Sequence, residues 1–411
     1  MKVGPASFDP TFLRVVGLGV ATALMTLSHG IVSPVLPLYA QSFGVSLSLV
    51  GLLVAGFGMA RLLANLPAGI LAGQLGRRRV LFLGAVVSTL GGVLSGLAGS
   101  FEHLVVARML NGVGSALFIT SALTYVADVS TPATRGRYMS VYQSCFLLGI
   151  TLGPVPGGFL ADLFGLRAPF FAIGLASGAA ALWVTLYVPE SRPPATGGGS
   201  AGAGRGGGIG RLLRNRNFVL VSLIAFGVFF TRGGVQQTLL PVIGRDRFGL
   251  SPSQLGILFG SIAAMNLLTI PVGGLISDRL GRKASVVPGS LLDTLGLFLL
   301  SIEGSPAQFW AGSLLLGLGS GLSGPASAAY VSDIAAAGLL SLALALYRTL
   351  ADVGLVAGPP LLGGLSDLVG VEVALLAATA FRALGTAAFG LLAVESLRRP
   401  AGKRPAGEAG Q

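Results

Sequence analysis

Residues 15–60 run forty-six in a row without a Lys, Arg, Asp or Glu. About 20 apolar residues suffice for a helix to cross the hydrocarbon core of a bilayer. The stretch is about twice that length, and Ser33-Pro34 through Gly44 breaks it. Two membrane helices are therefore expected, over 14–39 and 47–72. Similar runs follow at 80–101, 109–127, 138–161, 168–189, 217–244, 248–277, 284–302, 304–332, 340–366 and 371–394. The total is twelve. Backbone groups in lipid must be hydrogen-bonded within the segment, which makes these helices. The runs are continuous rather than alternating, which excludes a β-barrel. Charged residues make up 10% of the 411 residues, against about 25% in a soluble domain. A soluble chain of this size has no way to bury so much apolar surface. Disordered, collagen-like, coiled-coil and disulfide-scaffold classes are excluded by the same figures.

The formal net charge of +12 would suit nucleic acid if it were gathered on one surface. Instead it follows topology. With the N-terminus cytoplasmic, 19 of the 27 Lys and Arg fall in cytoplasmic segments. Arg167, Arg245 and Arg247 fall outside, and five arginines lie within spans. That is the positive-inside pattern. It predicts a multi-pass protein of the plasma (inner) membrane with both termini cytoplasmic, a bilayer and a small molecule as partners, and no nucleic acid. A monomer is expected. Cys145 is the lone cysteine, so no internal disulfide or cysteine zinc site can form. His29 and His103 supply no HExxH pair. No metal or cofactor is expected. No cleavable signal peptide is evident, because the first apolar stretch is too long for one.

The chain divides as 1–188, a first six-helix bundle; 189–216, a Gly-rich cytoplasmic linker; 217–396, a second bundle; and 397–411, a cytoplasmic tail. The halves repeat at an offset of 205. Gly69, Gly76 and Arg77 meet Gly274, Gly281 and Arg282. Tyr125 and Asp128 meet Tyr330 and Asp333. Gly149, Gly153, Pro154, Gly158 and Asp162 meet Gly354, Gly358, Pro359, Gly363 and Asp367. One register held through Tyr, Asp, Arg and Pro is an internal duplication. Six helices per half means both halves enter the membrane in the same sense, as a parallel repeat.

Local motifs sharpen this. Gly274-Leu275-Ile276-Ser277-Asp278-Arg279-Leu280-Gly281-Arg282-Lys283 fits G-x-L-a-D-r-x-G-R-[RK] throughout. The first-half copy, Gly69 to Arg78, departs at Gly73 and Gln74. Arg108-Met109-Leu110-Asn111-Gly112-Val113-Gly114 fits R-x-x-q-G-x-G. Gly149 to Gly158, with Gly153-Pro154 and Gly157-Gly158, fits g-x-x-x-G-P-x-x-G-G. On these motifs and the 6+6 repeat, the whole chain resembles the major facilitator superfamily, and the fifth-helix motif resembles its drug/proton antiporters. The resemblance implies an all-α transporter of two parallel-related six-helix bundles around a central cavity, working by alternating access with a proton gradient as energy source.

The motif residues have physical readings. Asp278 suits the electropositive N-terminus of a neighbouring helix. Arg282 can pair with Asp333, and Arg77 with Asp128, as latches of one state or as plain topology anchors; Arg78, Arg279, Gly69, Gly76 and Gly281 complete the loops. Gly149, Gly153, Pro154, Gly157, Gly158, Gly354, Gly358 and Pro359 allow close helix approach and read as an interface between halves or as generic helix packing.

Ionisable residues inside spans are functional candidates by default. Asp352 and Arg348 lie four apart on one helix face and are expected to pair, as a proton-coupling site or as a static ion pair. Arg108 resembles the family's fourth-helix arginine, which implies a role in proton movement or gating. His29, Arg61, Asn65, Asn111, Arg232, Gln236 and Asn266 are expected at the cavity. Asp293 and Arg382 read as a structural pair. Five intramembrane Arg against two Asp favour neutral amphiphiles or organic anions over polycations as substrate. No Ser/His/Asp set, Walker loop or HExxH appears, so no enzyme is expected. The leading expectation is proton-coupled efflux of hydrophobic small molecules. Symport or facilitated passage of an organic anion is the alternative within the class, and a non-transporting membrane sensor is the alternative outside it.

Overall fold

The structure is a computed structural model that describes residues 10–131, 133–191, 206–335 and 339–396. Twelve helices are long and apolar enough to span a membrane: α1 (Pro10–Val32), α2 (Leu47–Leu75), α3 (Arg77–Gly96), α4 (Phe101–Val129), α5 (Arg135–Phe164), α6 (Ala168–Tyr187), α7 (Arg216–Phe248), α8 (Pro252–Leu280), α9 (Arg282–Ser301), α10 (Pro306–Ile334), α11 (Leu340–Val369) and α12 (Val371–Leu392). The first expected span, 14–39, is cut short. α1 ends at Val32, and a separate helix, Leu36–Gln41, follows. Pro34 disfavours helical backbone at Ser33, and Pro37 starts the short helix. Within 189–216, residues 206–214 form a helix whose Leu212 is buried against the second half; residues 192–205 and the tail 397–411 lie outside the described residues.

The turns between α2 and α3 and between α8 and α9 are single residues. Gly76 and Gly281 hold φ of 92° and 119° there, a region open to glycine and strained for other residues. These tight turns set Arg77–Arg79 and Arg282–Lys283 on one face of the molecule, beside the start of α1 and of α5. This is called the basic face below.

The apolar cores show how the halves meet. At the basic face there are two separate clusters. One holds only first-half residues, around Leu18, Phe118 and Tyr142. The other holds only second-half residues, around Phe218, Tyr330 and Phe389. At the far face one cluster, around Tyr39 and Phe170, is again first-half only, but a second bridges the halves: Leu38 of the first half packs with Val235, Leu239 and Leu362, and Leu47 and Leu166 pack against it. The bundles are therefore joined at the far face and diverge towards the basic face. α2, α5, α8 and α11 are the least buried of the twelve spans, as expected of helices that flank a cleft.

Candidate functional site

Two repeat-related seams close the far face. In one, Gly51 of α2 lies on the backbone of Pro359 and Pro360 of α11, and Gly363 on that of Leu47 and Ser48. In the other, Gly158 of α5 lies on Pro252 and Gly256 of α8; a Cβ at Gly256 would stand 2.6 Å from the Pro154 carbonyl oxygen. Each seam carries a carboxylate clasp. Asp367 accepts from the Leu47 and Ser48 amides at 3.0 and 2.8 Å, capping α2. Asp162 accepts from the Ser253 amide at 2.9 Å and the Ser251 hydroxyl at 3.1 Å, capping α8. Arg245 adds a bond to Gln41 at 2.8 Å. Asp162 and Asp367 are one offset apart, and so are Ser253 and Ser48.

The glycines expected at one interface divide between two. Gly149, Gly153 and Gly157 face α1, against Ala23, Gly30 and Ile31, and Gly354 and Gly358 face α7, against Phe226 and Phe230. Both contacts lie inside a half. Gly158, Pro154 and Pro359 take part in the seams between halves. A helical face turns about 100° per residue, so glycines four apart share one neighbour and Gly158, one residue on, meets another.

The basic-face pairs form within halves. Arg77 Nε lies 2.7 Å from Asp128, and Arg282 Nε lies 2.8 Å from Asp333. Each joins a loop to the end of the fourth helix of the same half. They brace each bundle, and neither crosses the cleft. Asp278 is not at a helix N-terminus. Arg282 holds it at 2.5 Å, and it is largely exposed. The N-termini here are capped by carboxylates that sequence reasoning missed. Glu190 accepts from the Arg77 and Arg78 amides at 2.9 and 3.2 Å. Glu395 accepts from the Arg282 and Lys283 amides at 2.9 and 3.0 Å. Ser191 and Ser396 reach Asp128 and Asp333 at 3.3 and 3.0 Å. The signal was available, since 190 and 395 differ by the same 205 and each lies three residues past the last helix of its half. Arg78 also donates to the Thr185 carbonyl at 2.5 Å, whereas Arg279 stays exposed.

In the membrane interior, Asp293 and Arg382 pair at 2.8 Å with side chains 7% and 1% exposed. Arg348 and Asp352 do not pair as expected: among the described residues Asp352 has no ion pair within 4 Å. Arg348 is exposed and Asp352 half-buried. The Arg61 guanidinium of α2 instead feels both of them, together with the Tyr142 phenol of α5. Arg232 of α7 feels Arg61 in turn. Residues of both halves thus converge between the bundles. Arg232 opens an eight-residue π-helical stretch, Arg232–Leu239, a wide turn frequent at functional sites. Gly233 and Gly234 let it lie on Pro359 and Gly358, and half-buried Gln236 sits within it. Arg108 is 6% exposed, stacks 5.0 Å over Phe57, and leaves Nε and Nη1 without a partner among the described residues. His29 Nδ1 donates to the Met25 carbonyl at 2.8 Å, which leaves Nε2 an acceptor without a partner among the described residues, and its ring meets Phe57 edge-on at 5.3 Å.

The three asparagines expected at the cavity are engaged in packing within their halves. Asn111 is 1% exposed and donates to the Ser88 carbonyl of α3 at 3.0 Å; a buried amide must spend its donors locally. Asn65 accepts from Thr120 at 3.5 Å, and Asn266 donates to Ser320 at 2.9 Å. Both remain half-buried. Among the described residues no group of three or more His, Cys, Asp or Glu is placed to hold a metal ion.

The Major Facilitator Superfamily model matches residues 18–251 and again 222–411. The chain belongs to this superfamily. Relatives include an uncharacterized MFS-type transporter of Methanocaldococcus jannaschii, 23% identical over 86% of this chain and 91% of the relative. Multidrug resistance protein 2 of Bacillus subtilis is 26% identical over 83% and 86%. Among solved structures, a bacterial homologue of the human lysosomal transporter Spinster, crystallised in an inward-facing and unoccupied conformation, superposes with a TM-score of 0.79. It is 17% identical over 93% of this chain and 97% of that one. Twelve membrane helices in two repeated bundles are thus the fold of a superfamily transporter.

Proposed function

We propose that this protein is a secondary active transporter that exports hydrophobic or amphiphilic small molecules in exchange for protons. The observation that carries the reading is the one-sided junction: two repeat-related seams join the bundles at the far face, while the cores at the basic face stay apart. Such halves can rock about a central site, breaking one set of contacts as another forms. Basic loops favour the cytoplasm, so the basic face and both termini are assigned there, in the inner membrane, with the cleft open inward. Efflux is supported by likeness to the multidrug resistance protein. Among the described residues Asp352 is the acid in the interior of the spans that has no ion-pair partner, and it is assigned the coupling proton. The Arg77–Asp128 and Arg282–Asp333 braces are assigned to hold the loops that meet when the basic face closes.

The test is flux in proteoliposomes under an imposed pH gradient. Substrate movement against its own gradient, driven by protons and lost in Asp352→Asn, supports exchange. Ion-independent equilibration would replace it with a facilitator. Proton-linked symport of an organic anion is a second reading, favoured by the guanidinium excess around Asp352.

A further inference from the structure

Resting on the transporter reading, the central site can be given a charge class. Of the five arginines and two aspartates in the spans, Arg382 and Asp293 are consumed by each other. Four guanidiniums remain, Arg61, Arg108, Arg232 and Arg348, against one carboxylate, Asp352. Among the described residues none of these five has a hydrogen bond or an ion pair within 4 Å. Unpaired charge at this depth is costly and persists where it has a task.

The unmet groups are almost all donors. A guanidinium carries five N–H donors and no acceptor, and stays charged. Arg108 is nine-tenths buried, and its stacking on Phe57 does nothing for its orphaned Nε and Nη1. The Tyr142 hydroxyl, close enough to feel Arg61 and Arg348, is buried and without a partner among the described residues. A strong acceptor group satisfies such a set. A planar carboxylate or a sulfonate meets guanidinium forks with two parallel bonds each. A cation would find one carboxylate and four like charges.

We propose that Arg61, Arg232 and Arg348, with Tyr142 and the deeper Arg108, bind the anionic head of an amphiphilic organic acid. Its apolar body lies along the aromatic wall at Phe57. Asp352 is the resident counter-anion, which the incoming acid replaces beside Arg61. The arginines come from α2, α7, α11 and α4, so the seat is complete only when both halves contribute. The acid is a soluble solute, not a lipid headgroup.

The test uses the full chain in phosphatidylcholine nanodiscs and three hydrophobes, naphthyl, biphenyl and decyl, each carrying a carboxylate, a primary amide or an ammonium. Isothermal titration is expected to rank carboxylate over amide by about tenfold or more, and to rank ammonium last. Arg61→Gln and Arg232→Gln should each erase the carboxylate's advantage and leave amide binding unchanged. Asp352→Asn should tighten the carboxylate alone. Amides or ammoniums binding as tightly as carboxylates on all three hydrophobes overturns the proposal. So does an equal loss of every ligand in the arginine variants at unchanged melting temperature. Full competition by added phosphatidylglycerol would assign the seat to a lipid headgroup and also overturn it. Labelling of a cysteine at Val155 separates this failure from that of the transporter reading. If the ammonium compounds bind best and still expose the seam, transport stands and the anion class falls. If no bound ligand ever exposes the seam, alternating access falls instead.

Discussion

Closing the far face depends on backbone meeting backbone, so side-chain volume placed there should reopen it. Gly256 is one such point. Its added Cβ would lie 2.6 Å from the Pro154 oxygen and 3.1 Å from Gly158 Cα. Both are main-chain atoms of α5, which cannot swing aside as a side chain would. Overpacking a tight site costs about 1–3 kcal/mol, roughly 5- to 150-fold in an equilibrium. Gly256→Leu is thus expected to shift the molecule by that factor towards the arrangement with α5 and α8 apart, releasing Asp162 from α8. Gly51→Leu should act likewise on the α2–α11 seam. The seams share no partner, so their effects should add. The assay replaces Cys145 with Ser and introduces a cysteine at Val155, which packs against Gly260. Its reaction with a membrane-impermeant maleimide is timed from each side of the membrane. Faster labelling from the far face in the leucine variants is expected. An unchanged rate in a folded, normally expressed double variant would refute the argument that these glycines hold the face shut.

Further outcomes are expected. Asp352→Asn should abolish proton-driven accumulation in vesicles while leaving substrate counterflow; loss of both would assign Asp352 to substrate binding or folding alone. Arg382→Met leaves a buried Asp293 alone and should lower stability by about 3–5 kcal/mol, with much of the loss recovered by adding Asp293→Leu; thermal unfolding in detergent checks the pair. Glu395→Ala should loosen the start of α9 by about 0.5–2 kcal/mol, seen as faster proteolysis at the α8–α9 turn, and Glu395→Gln should recover part of this because its amide oxygen still accepts. Removing both clasps, in Asp162→Ala with Asp367→Ala, should speed far-face labelling less than the leucine variants do, because exposed caps are the weaker restraint.

The spans were legible because the bilayer imposes one length and one chemistry on each helix, and the repeat because both halves kept Gly, Pro, Arg and Asp in one register. The Arg77–Asp128, Arg282–Asp333 and Asp293–Arg382 proximities followed from the same logic, since charge in or near lipid needs a nearby opposite. Legibility failed where two partners competed for one group. Arg348 and Asp352 share a helix face, yet Arg61 from the other half is the charge facing them. Asp278 could have capped a helix, yet Glu395 reaches that turn while Arg282 occupies the aspartate. Asn111 carried a motif position without saying which way its amide points.

Sequence alone therefore determined the solvent, the number of crossings, their pairing into two like halves and the superfamily. These are properties of hydropathy, charge and spacing, which are local or periodic along the chain. Tertiary structure alone decided which face is shut, that aspartates of one half cap helices of the other, and that Arg61, Arg232, Arg348 and Asp352 come near one another between the bundles with no ion pair among the described residues. Each of these depends on which helix faces rotate towards which neighbour. Nearly featureless apolar helices leave that choice to a few glycines, where backbone can touch backbone.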